Sequence, residues 1–422
     1  MTNDIFKVLK VRPFLFMMVS EFFSQFAFNM QNFVLIFIVY GITHSNTAVS
    51  GIVLSFTIPA VFLSLVSGVY VDRWDKKKVL FFTNLIRGLL LLFFLIPNLH
   101  VGFIYTLTFF IAVATQFFIP AESAFIPRLV PQRLILSANS IFSLGIYSTI
   151  LIGYVVSGPS LLLLGKNATI IFLSSLFLLA SLATLLIKPL TKGNAMELQP
   201  KNNGVSDLKL EIQEIFTFLS KAKKVMRALI AITLAQAIIF TFSVLAPGYM
   251  TSILNVQIES LSWILLAPAG LGMGFGALLL GTIGKRYEHK WLIKVGFIIS
   301  GVIFILFPFA SKVTSRAFIQ TLNDFLPNFL DVTILHLVIV LAFIVGFANS
   351  LIFVTSNTAI QVSAGEGIRG RIYGLLNALV GAVSFLPVVL AGALADLLGV
   401  GTVITAIGIL MLLVAVLFSV FD

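Results

Sequence analysis

Long apolar runs alternate with short polar segments along the whole chain. A helix needs about 20 mostly apolar residues to cross the hydrocarbon core of a bilayer. The pattern therefore predicts an all-α integral membrane protein with twelve transmembrane helices in two pseudo-symmetric six-helix bundles. The predicted spans lie near residues 13–41, 47–71, 78–96, 101–121, 136–163, 169–187, 227–253, 260–283, 291–310, 333–362, 370–396 and 401–420.

The polar stretch between the two sets of spans predicts how the chain is divided. We expect an N-terminal bundle in residues 1–188, a cytoplasmic linker in 189–225 and a C-terminal bundle in 226–422. The first part of this stretch, TKGNAMELQPKNNGVSD, has the composition of a loop. In the second part, apolar residues at steps of four and three predict an amphipathic helix on the membrane surface, formed around Leu208, Ile212, Ile215, Leu219 and Ala222. A regulatory partner site on this helix is an alternative use of the segment.

Composition supports an integral membrane protein and excludes several kinds of site. Of the 422 residues, 59% are hydrophobic and only 10% are charged, against about 25% charged in soluble domains. The chain has no cysteine, which excludes disulfides and thiolate metal sites, and its four histidines lack ligand-like spacing, so no metal site is expected. We also expect no nucleic-acid partner, because the net charge of +11 comes from short basic blocks between apolar runs.

The positions of Lys and Arg predict the orientation of the helices. Alternate loops place 22 of these residues on one side of the membrane and 3 on the other. Cytoplasmic loops carry the excess of positive charge, so both termini are expected in the cytoplasm. The first apolar run, from Pro13 to Tyr40, is too long for a signal-peptide core and should remain in the mature protein. The expected location is the plasma (inner) membrane, with the lipid bilayer and a small-molecule substrate as partners, and the protein is expected to be a monomer.

A block of charge, GVYVDRWDKKK, separates the second and third predicted spans. The carboxylate of Asp72 can accept charge-assisted hydrogen bonds that hold this side closed and break as the two halves move. Alternatively, the block only ends a helix and fixes the topology. A glycine four residues before Asp72 favours the first interpretation, since it would permit close helix approach. The predicted cytoplasmic gate comprises Gly68, Asp72, Arg73, Lys76 and Lys77.

This block resembles the loop signature of the major facilitator superfamily, in which Gly, three residues and Asp-Arg precede Gly and basic residues. Asp75 stands where the signature usually has Gly. A related segment, GTIGKRYEHK, follows 213 positions later, as expected for tandem halves. Two further stretches, FFIPAESAFIPRLVPQRLILSANSIFSLGIYS and RGRIYGLLNALVGAVSFLPVVLAGALADLLG, resemble the drug:proton antiporter branch that contains macrolide efflux proteins and the enterobactin exporter. The resemblance covers the whole chain and implies the major facilitator fold.

Ionisable residues inside membrane spans are functional candidates. Glu21 lies in the first span and is the predicted proton carrier, because an apolar cavity favours the neutral form of a carboxyl and substrate entry could displace its proton. Arg87 is the predicted intramembrane cation and could pair with Asp72 or Glu21. Glu122 and Asp396 lie at span ends, where the pattern favours interfacial charges.

Amide side chains mark one face of the first span, where Gln25, Asn29 and Asn32 follow Glu21 at steps of four, four and three. The resemblance implies that spans 1, 4, 7 and 10 line a central cavity. All four carry amides, and the predicted cavity lining comprises Gln25, Asn29, Asn32, Gln116, Gln236, Asn349, Asn357 and Gln361. Interhelical hydrogen bonding is the alternative role. In the fifth span, GYVVSGP resembles an antiporter signature and predicts a bend at Gly153, Gly158 and Pro159.

These features predict a secondary active transporter that exports hydrophobic or amphipathic small molecules, of drug, macrolide or siderophore type, by proton antiport with alternating access. The proton gradient is the expected energy source, and no cofactor is expected. A transporter of lysophospholipid or another dedicated lipid is the first alternative, and a non-transporting membrane receptor or scaffold is the second. The sequence lacks a nucleophile elbow, a zinc-type His-Glu pair and a phosphate-binding loop, so neither an enzyme nor an ATP-driven pump is expected.

Overall fold

The structure is a computed structural model that describes residues 7–188, 217–220, 222–283, 287–311, 323, 333–363 and 366–420. Regular structure within these residues is helical, with short 3-10 and π turns between the long helices. The long helices are α1 (Arg12–Thr43), α2 (Asn46–Arg73), α3 (Lys76–Leu92), α4 (Val101–Phe125), α5 (Ile135–Leu185), α6 (Lys223–Gly248), α7 (Ala267–Ile283), α8 (His289–Leu306), α9 (Ile334–Ser363), α10 (Glu366–Leu398) and α11 (Val400–Val420).

Eleven helical segments of the described chain are long and apolar enough to cross a membrane, one fewer than the twelve predicted spans. The difference lies in α5, whose 51 residues contain one break from helical geometry, at Gly165. At 1.5 Å per residue an unbroken helix of that length would extend about 75 Å, more than twice the hydrocarbon thickness. With φ of 75° and ψ of 171°, Gly165 divides α5 into arms that correspond to the fifth and sixth predicted spans. Gly165 lies in the gap between the predicted spans 136–163 and 169–187, and the bend expected within the fifth span at Gly153, Gly158 and Pro159 stays a prediction.

The charged block between α2 and α3 forms a turn that is also anchored to α5. The Asp75 carboxylate caps α3 by accepting a hydrogen bond from the backbone N–H of Lys78 at 3.2 Å. The ammonium group of Lys77 donates to the carbonyl oxygens of Leu185 and Ile187, both at 2.8 Å. These carbonyls end the second arm of α5 and would otherwise lack helical partners. Asp75, in the place of the usual glycine, is therefore compatible with a well-formed turn.

The described helices belong to two compact units. Unit 1 comprises Met1–Leu35 and Ser55–Glu214, and unit 2 comprises Ile36–Leu54 and Ile215–Asp422. The change from one unit to the other after residue 214 falls inside the predicted linker. Much of that linker, including Leu208, Ile212 and Ile215 of the predicted amphipathic helix, lies outside the described residues. Of that helix, Leu219 is buried in unit 2 beside Val225 and Ile360.

Unit 1 is centred on α3, which packs against α4 and α5. A buried apolar cluster that includes Phe14, Met17, Phe118 and Phe125 joins the start of α1 to the last turns of α4. In unit 2, α9 packs against α6, α7 and α8, while α10 packs on α6 and α11 packs on α8. Each unit therefore has its own set of interhelical contacts.

The contact between α7 and α9 depends on glycines with no room for a methyl group. A Cβ atom added to Gly272 would overlap the carbonyl oxygen of Phe343, and one added to Gly346 would overlap that of Ala269. Because the obstructing atoms belong to the backbone, the helices would have to move apart to accept even alanine. By contrast, a Cβ added to Gly274, also on α7, meets nothing within 4 Å.

We expect Gly272→Ala to lower the free energy of unfolding by about 1–3 kcal/mol, as overpacking does in well-packed cores. Gly274→Ala is the matched control and should be neutral or stabilising by up to about 1 kcal/mol, because alanine favours a helix more than glycine does. Thermal unfolding of both variants in the same detergent would measure the difference. Equal shifts in the two variants would contradict the observed packing of α7 on α9.

Candidate functional site

Three ionisable side chains meet in the interior of unit 1. Glu21 on α1, Arg87 on α3 and Glu122 on α4 have exposed fractions of 1%, 1% and 2%. Each lies within a helix that is long and apolar enough to span a membrane. Ionisable groups at such positions are costly and need compensating partners. The carboxyl groups of Glu21 and Glu122 both interact electrostatically with the guanidinium of Arg87.

Arg87 is held by neutral groups on both sides of its guanidinium. Its Nη2 donates to the amide oxygen of Asn84 at 2.6 Å and to the hydroxyl oxygen of Ser24 at 3.0 Å. The guanidinium carbon lies over the rings of Phe118 and Phe177, at 4.3 and 4.8 Å from their centroids. Stacking of this kind suits the weakly hydrated arginine cation better than lysine. The charge of Arg87 is thus fixed in place without a direct ion pair to either carboxylate.

Glu21 and Glu122 are neighbours, and the side-chain amide of Gln25 lies close to both. Neither carboxyl oxygen of Glu21, nor Oε1 of Glu122, forms a hydrogen bond of good geometry with a described residue. If both carboxyls were ionised, the three groups together would carry one net negative charge. With a single proton shared by the pair, the buried cluster is neutral. An apolar interior favours the neutral arrangement, so the pair is suited to binding and releasing one proton.

The sequence identified Glu21 and Arg87 but misplaced Glu122. Its position near the end of the fourth predicted span favoured an interfacial charge, whereas the structure buries it beside Glu21. The fourth helix extends to Phe125, so Glu122 lies almost one turn inside α4. The apolar residues that flank it on both sides, FFIPA and SAFIP, were the signal for burial. Asp72, the other predicted partner of Arg87, has a side chain outside the described part of the chain.

The amides of α1 occupy different surroundings. Asn29 is buried and donates to the carbonyl oxygen of Gln25 in its own helix at 2.8 Å. Asn32 is half-buried and its Oδ1 has no partner among the described residues. Gln31, which lies off the predicted polar face, is fully buried, and neither of its amide atoms has a described partner. The polar face predicted from steps of four, four and three did not include Gln31. Its buried amide is nevertheless available for hydrogen bonding.

The other amides predicted to line the cavity differ in whether they form side-chain hydrogen bonds with described residues. Gln116, Gln236 and Asn349 are half-buried, and Oδ1 of Asn349 has no described partner. In unit 2, Asn357 on α9 accepts a hydrogen bond from the hydroxyl of Tyr373 on α10 at 3.0 Å, and Gln361 donates to the same hydroxyl at 3.5 Å. These last two amides therefore link helices, which is the alternative role. Cavity lining by the whole set stays a prediction.

The predicted gate residues do not all behave as expected. A Cβ added to Gly68 meets nothing within 4 Å, so the close helix approach expected at this glycine is wrong for this structure. Arg73 is exposed and Lys76 is buried, with 6% exposure. Lys77 is committed to the carbonyls that end α5. The observed role of the block is to turn and anchor the chain, and its gating role stays a prediction.

Gly153 permits close contact between α5 and the polar part of α1. An added Cβ would lie 3.0 Å from Cβ of Asn29 and 3.1 Å from the backbone nitrogen of Met30. The neighbouring ring of Tyr154 packs edge-on against Phe33, with ring centroids 4.6 Å apart. This part of the GYVVSGP segment thus fixes the position of α1 in unit 1.

Comparison with known proteins agrees with this architecture. Residues 17–322 and 228–422 match the family described as the Major Facilitator Superfamily. The MFS-type transporter YfmI of Bacillus subtilis is 24% identical over 406 residues, which cover 94% of this chain and 93% of that protein. The multidrug efflux pump Tap of Mycolicibacterium fortuitum is 30% identical over 174 residues, which cover 41% of this chain and only 36% of the pump.

Solved structures share the fold at low sequence identity. The nucleoside transporter NupG superimposes with a TM-score of 0.72 at 14% identity, over 96% of this chain and 98% of NupG. A bacterial homologue of the human lysosomal transporter Spinster gives a TM-score of 0.69 at 12% identity, over 97% of this chain and 96% of the homologue. Together with the family match, these likenesses place the chain in the major facilitator superfamily, as a multi-pass membrane transporter and not an enzyme.

Proposed function

We propose that the protein exports hydrophobic or amphipathic small molecules by proton antiport, using Glu21 and Glu122 as the proton site. The observation that carries this proposal is the burial of two neighbouring carboxyl groups beside one fixed guanidinium in unit 1. One buried carboxylate would be enough to balance the charge of Arg87, and neither carboxylate forms a direct ion pair with it. The second carboxyl has no structural use that the contacts reveal, and it makes the charge of the cluster depend on a proton.

The proposed cycle follows from the charge of this cluster. With one proton bound, the cluster is neutral and the transporter can change its accessible side without moving a net buried charge. Release of the proton leaves one negative charge, which favours entry of a cationic or polar substrate group or of the next proton. Binding of substrate and binding of proton then compete, which is the requirement for antiport.

Export as the direction is supported by the name of one relative, the multidrug efflux pump Tap, although its match covers only part of the pump. The amides Gln25 and Asn32 on α1 are the groups we assign to substrate hydrogen bonding, because each lies half-buried on that helix. Apolar side chains around them would accept the hydrophobic part of a drug-like molecule. With the basic loops facing the cytoplasm, both termini would be cytoplasmic and the protein would reside in the plasma membrane.

The direct test is movement of ethidium in proteoliposomes that contain the purified protein, with and without an imposed pH gradient. We expect the dye to accumulate against its concentration gradient only when the pH gradient is present, and collapse of that gradient by a proton-exchanging ionophore should abolish accumulation. Protein-free liposomes carrying the same gradient are the control. Failure to accumulate ethidium or a second lipophilic dye, together with gradient-independent movement of a labelled lysophospholipid, would overturn the proposal in favour of lipid transport.

A further inference from the structure

Asp396, near the end of α10, accepts five hydrogen bonds from three consecutive residues, Ser45 just before α2 and Asn46 and Thr47 at its start. Its Oδ1 accepts from the backbone N–H and the side-chain amide of Asn46, both at 2.9 Å. Its Oδ2 accepts from the hydroxyl of Ser45 at 2.7 Å, the hydroxyl of Thr47 at 2.7 Å and the backbone N–H of Thr47 at 3.0 Å. All of these residues belong to unit 2. One carboxylate therefore binds two backbone N–H groups and three side chains of this turn.

The carboxylate occupies the position of a helix cap supplied by a different helix. The backbone N–H groups of Asn46 and Thr47 begin α2 and have no partner within that helix. A negative charge at this end is also favoured by the helix dipole, and hydrogen bonds to an ionised acceptor are stronger than neutral ones. Asp396 therefore stabilises the start of α2 and at the same time fixes it to α10.

The surrounding contact is close and polar. Ser50 donates to the carbonyl oxygen of Val388 at 2.8 Å. A Cβ added to Gly392 would lie 2.8 Å from the carbonyl oxygen of Asn46, and one added to Gly248 would lie 2.7 Å from a methyl group of Val400 and against the amide of Asn46. Glycines thus allow the backbone of α2 to approach α6 and α10. Separation would uncover hydroxyls, amides and a carboxylate, which water can satisfy, together with apolar side chains of this segment such as Val49 and Ile52.

We propose that Asp396 is a positioning residue of the transport cycle, which holds residues 36–54 against α6 and α10 in one state and releases them in another. The helices α1 and α2 leave unit 2 on either side of this segment and continue in unit 1. Residues 36–54 are therefore the part of α1 and α2 that is attached to unit 2. If α1 and α2 move when the transporter changes its accessible side, the contacts of this segment with unit 2 must change. The proposal rests on the transport activity but not on proton coupling or on the identity of the substrate.

The test measures the distance between α1 and α10 directly. The chain has no cysteine, so spin labels can be attached at Ile42→Cys and Leu397→Cys, both at exposed positions of unit 2. Asp396→Asn places an amide NH₂ where an oxygen now accepts a backbone N–H, whichever way the amide is oriented. We expect the labelled Asp396→Asn protein to show an additional population of molecules in which the two labels lie farther apart. This population should be present without substrate and without a pH gradient. Net efflux should fall in turnover rate more than in apparent substrate affinity.

Two further variants make the outcome decisive. Glu259→Gln is the matched control, because it removes a carboxylate of unit 2 that forms no ion pair or side-chain hydrogen bond with the described residues, and it should leave the distance unchanged. Thr47→Val removes one donor and keeps the backbone N–H, so it should shift the distance in the same direction by less. This milder variant also tests the proposal if Asp396→Asn does not fold. Distances in Asp396→Asn or Thr47→Val that superimpose on those of the parent would overturn it.

Discussion

Glu21→Gln is expected to abolish pH-driven efflux while leaving substrate binding intact. Glutamine keeps the size and hydrogen-bonding capacity of a protonated glutamate but can neither release nor accept the coupled proton. In proteoliposomes, uphill accumulation of the dye should fall to the leak of protein-free liposomes. Binding of the same dye, followed by fluorescence, should persist at about the affinity of the protonated parent protein and should no longer depend on pH, since the neutral cluster of the variant corresponds to the protonated cluster of the parent.

Glu122→Gln should give nearly the same phenotype, because the two carboxyl groups share one site. Each single variant leaves Arg87 and one carboxylate. Their charges cancel, so the cluster is neutral when no proton is bound. Glu259→Gln, outside the cluster, serves as the control and should transport normally. Normal gradient-driven efflux in Glu21→Gln would remove this carboxyl from the coupling mechanism. If Glu122→Gln alone were normal, the proton site would contain Glu21 without its neighbour.

The helices could be predicted closely from the sequence because the membrane dictates their length. The first predicted span, 13–41, compares with α1 at Arg12–Thr43, and the span at 401–420 compares with α11 at Val400–Val420. Apolar length does not reveal a reversal inside a continuous helix-forming run. For this reason the junction of the fifth and sixth spans, at Gly165, was visible only as a short polar interruption, GKN.

The candidate site was only half accessible to sequence reasoning. Glu21 and Arg87 stand out because each is a single charge in an apolar run. Glu122 could not be distinguished from an interfacial charge, since its burial depends on α4 continuing past Pro120 and packing on α1. Asp396 meets its partners across about 350 positions of chain, so its five hydrogen bonds arise from tertiary packing. Local periodicity contains no information about such a pairing.

The side chain of Arg87 supplies the charge that keeps two carboxyl groups inside unit 1. Arg87→Leu would remove this cation and the hydrogen bonds that it donates to Asn84 and Ser24, so that only the Ser24 hydroxyl would still donate to Oδ1 of Asn84. Breaking a buried charge pair by removing one partner costs about 3–5 kcal/mol, so a loss of this order in the free energy of unfolding is expected. Thermal unfolding in detergent would measure it.

Arg87→Lys separates the charge of this residue from its geometry. Lysine keeps the cation but not the planar group that lies over Phe118 and Phe177 while donating to Asn84, so we expect an intermediate loss of stability. Because the charge is retained, this variant should keep more of the pH-driven efflux than Arg87→Leu does. If the leucine and lysine variants reduced efflux equally, transport would require the hydrogen bonds that the guanidinium donates to Asn84 and Ser24, and not the charge.

A double-variant cycle then tests whether Arg87 acts on the carboxyl pair. Removing Glu122 as well, in Arg87→Leu with Glu122→Gln, eliminates one of the two acids that the cation compensates. The double variant should therefore lose less stability than the sum of the two single variants, by about 0.5–3 kcal/mol, the usual coupling between residues of one network. Strictly additive losses would show that Arg87 and Glu122 are independent. In that case Arg87 would be a structural residue of α3, and the proton site would consist of the carboxyl groups alone.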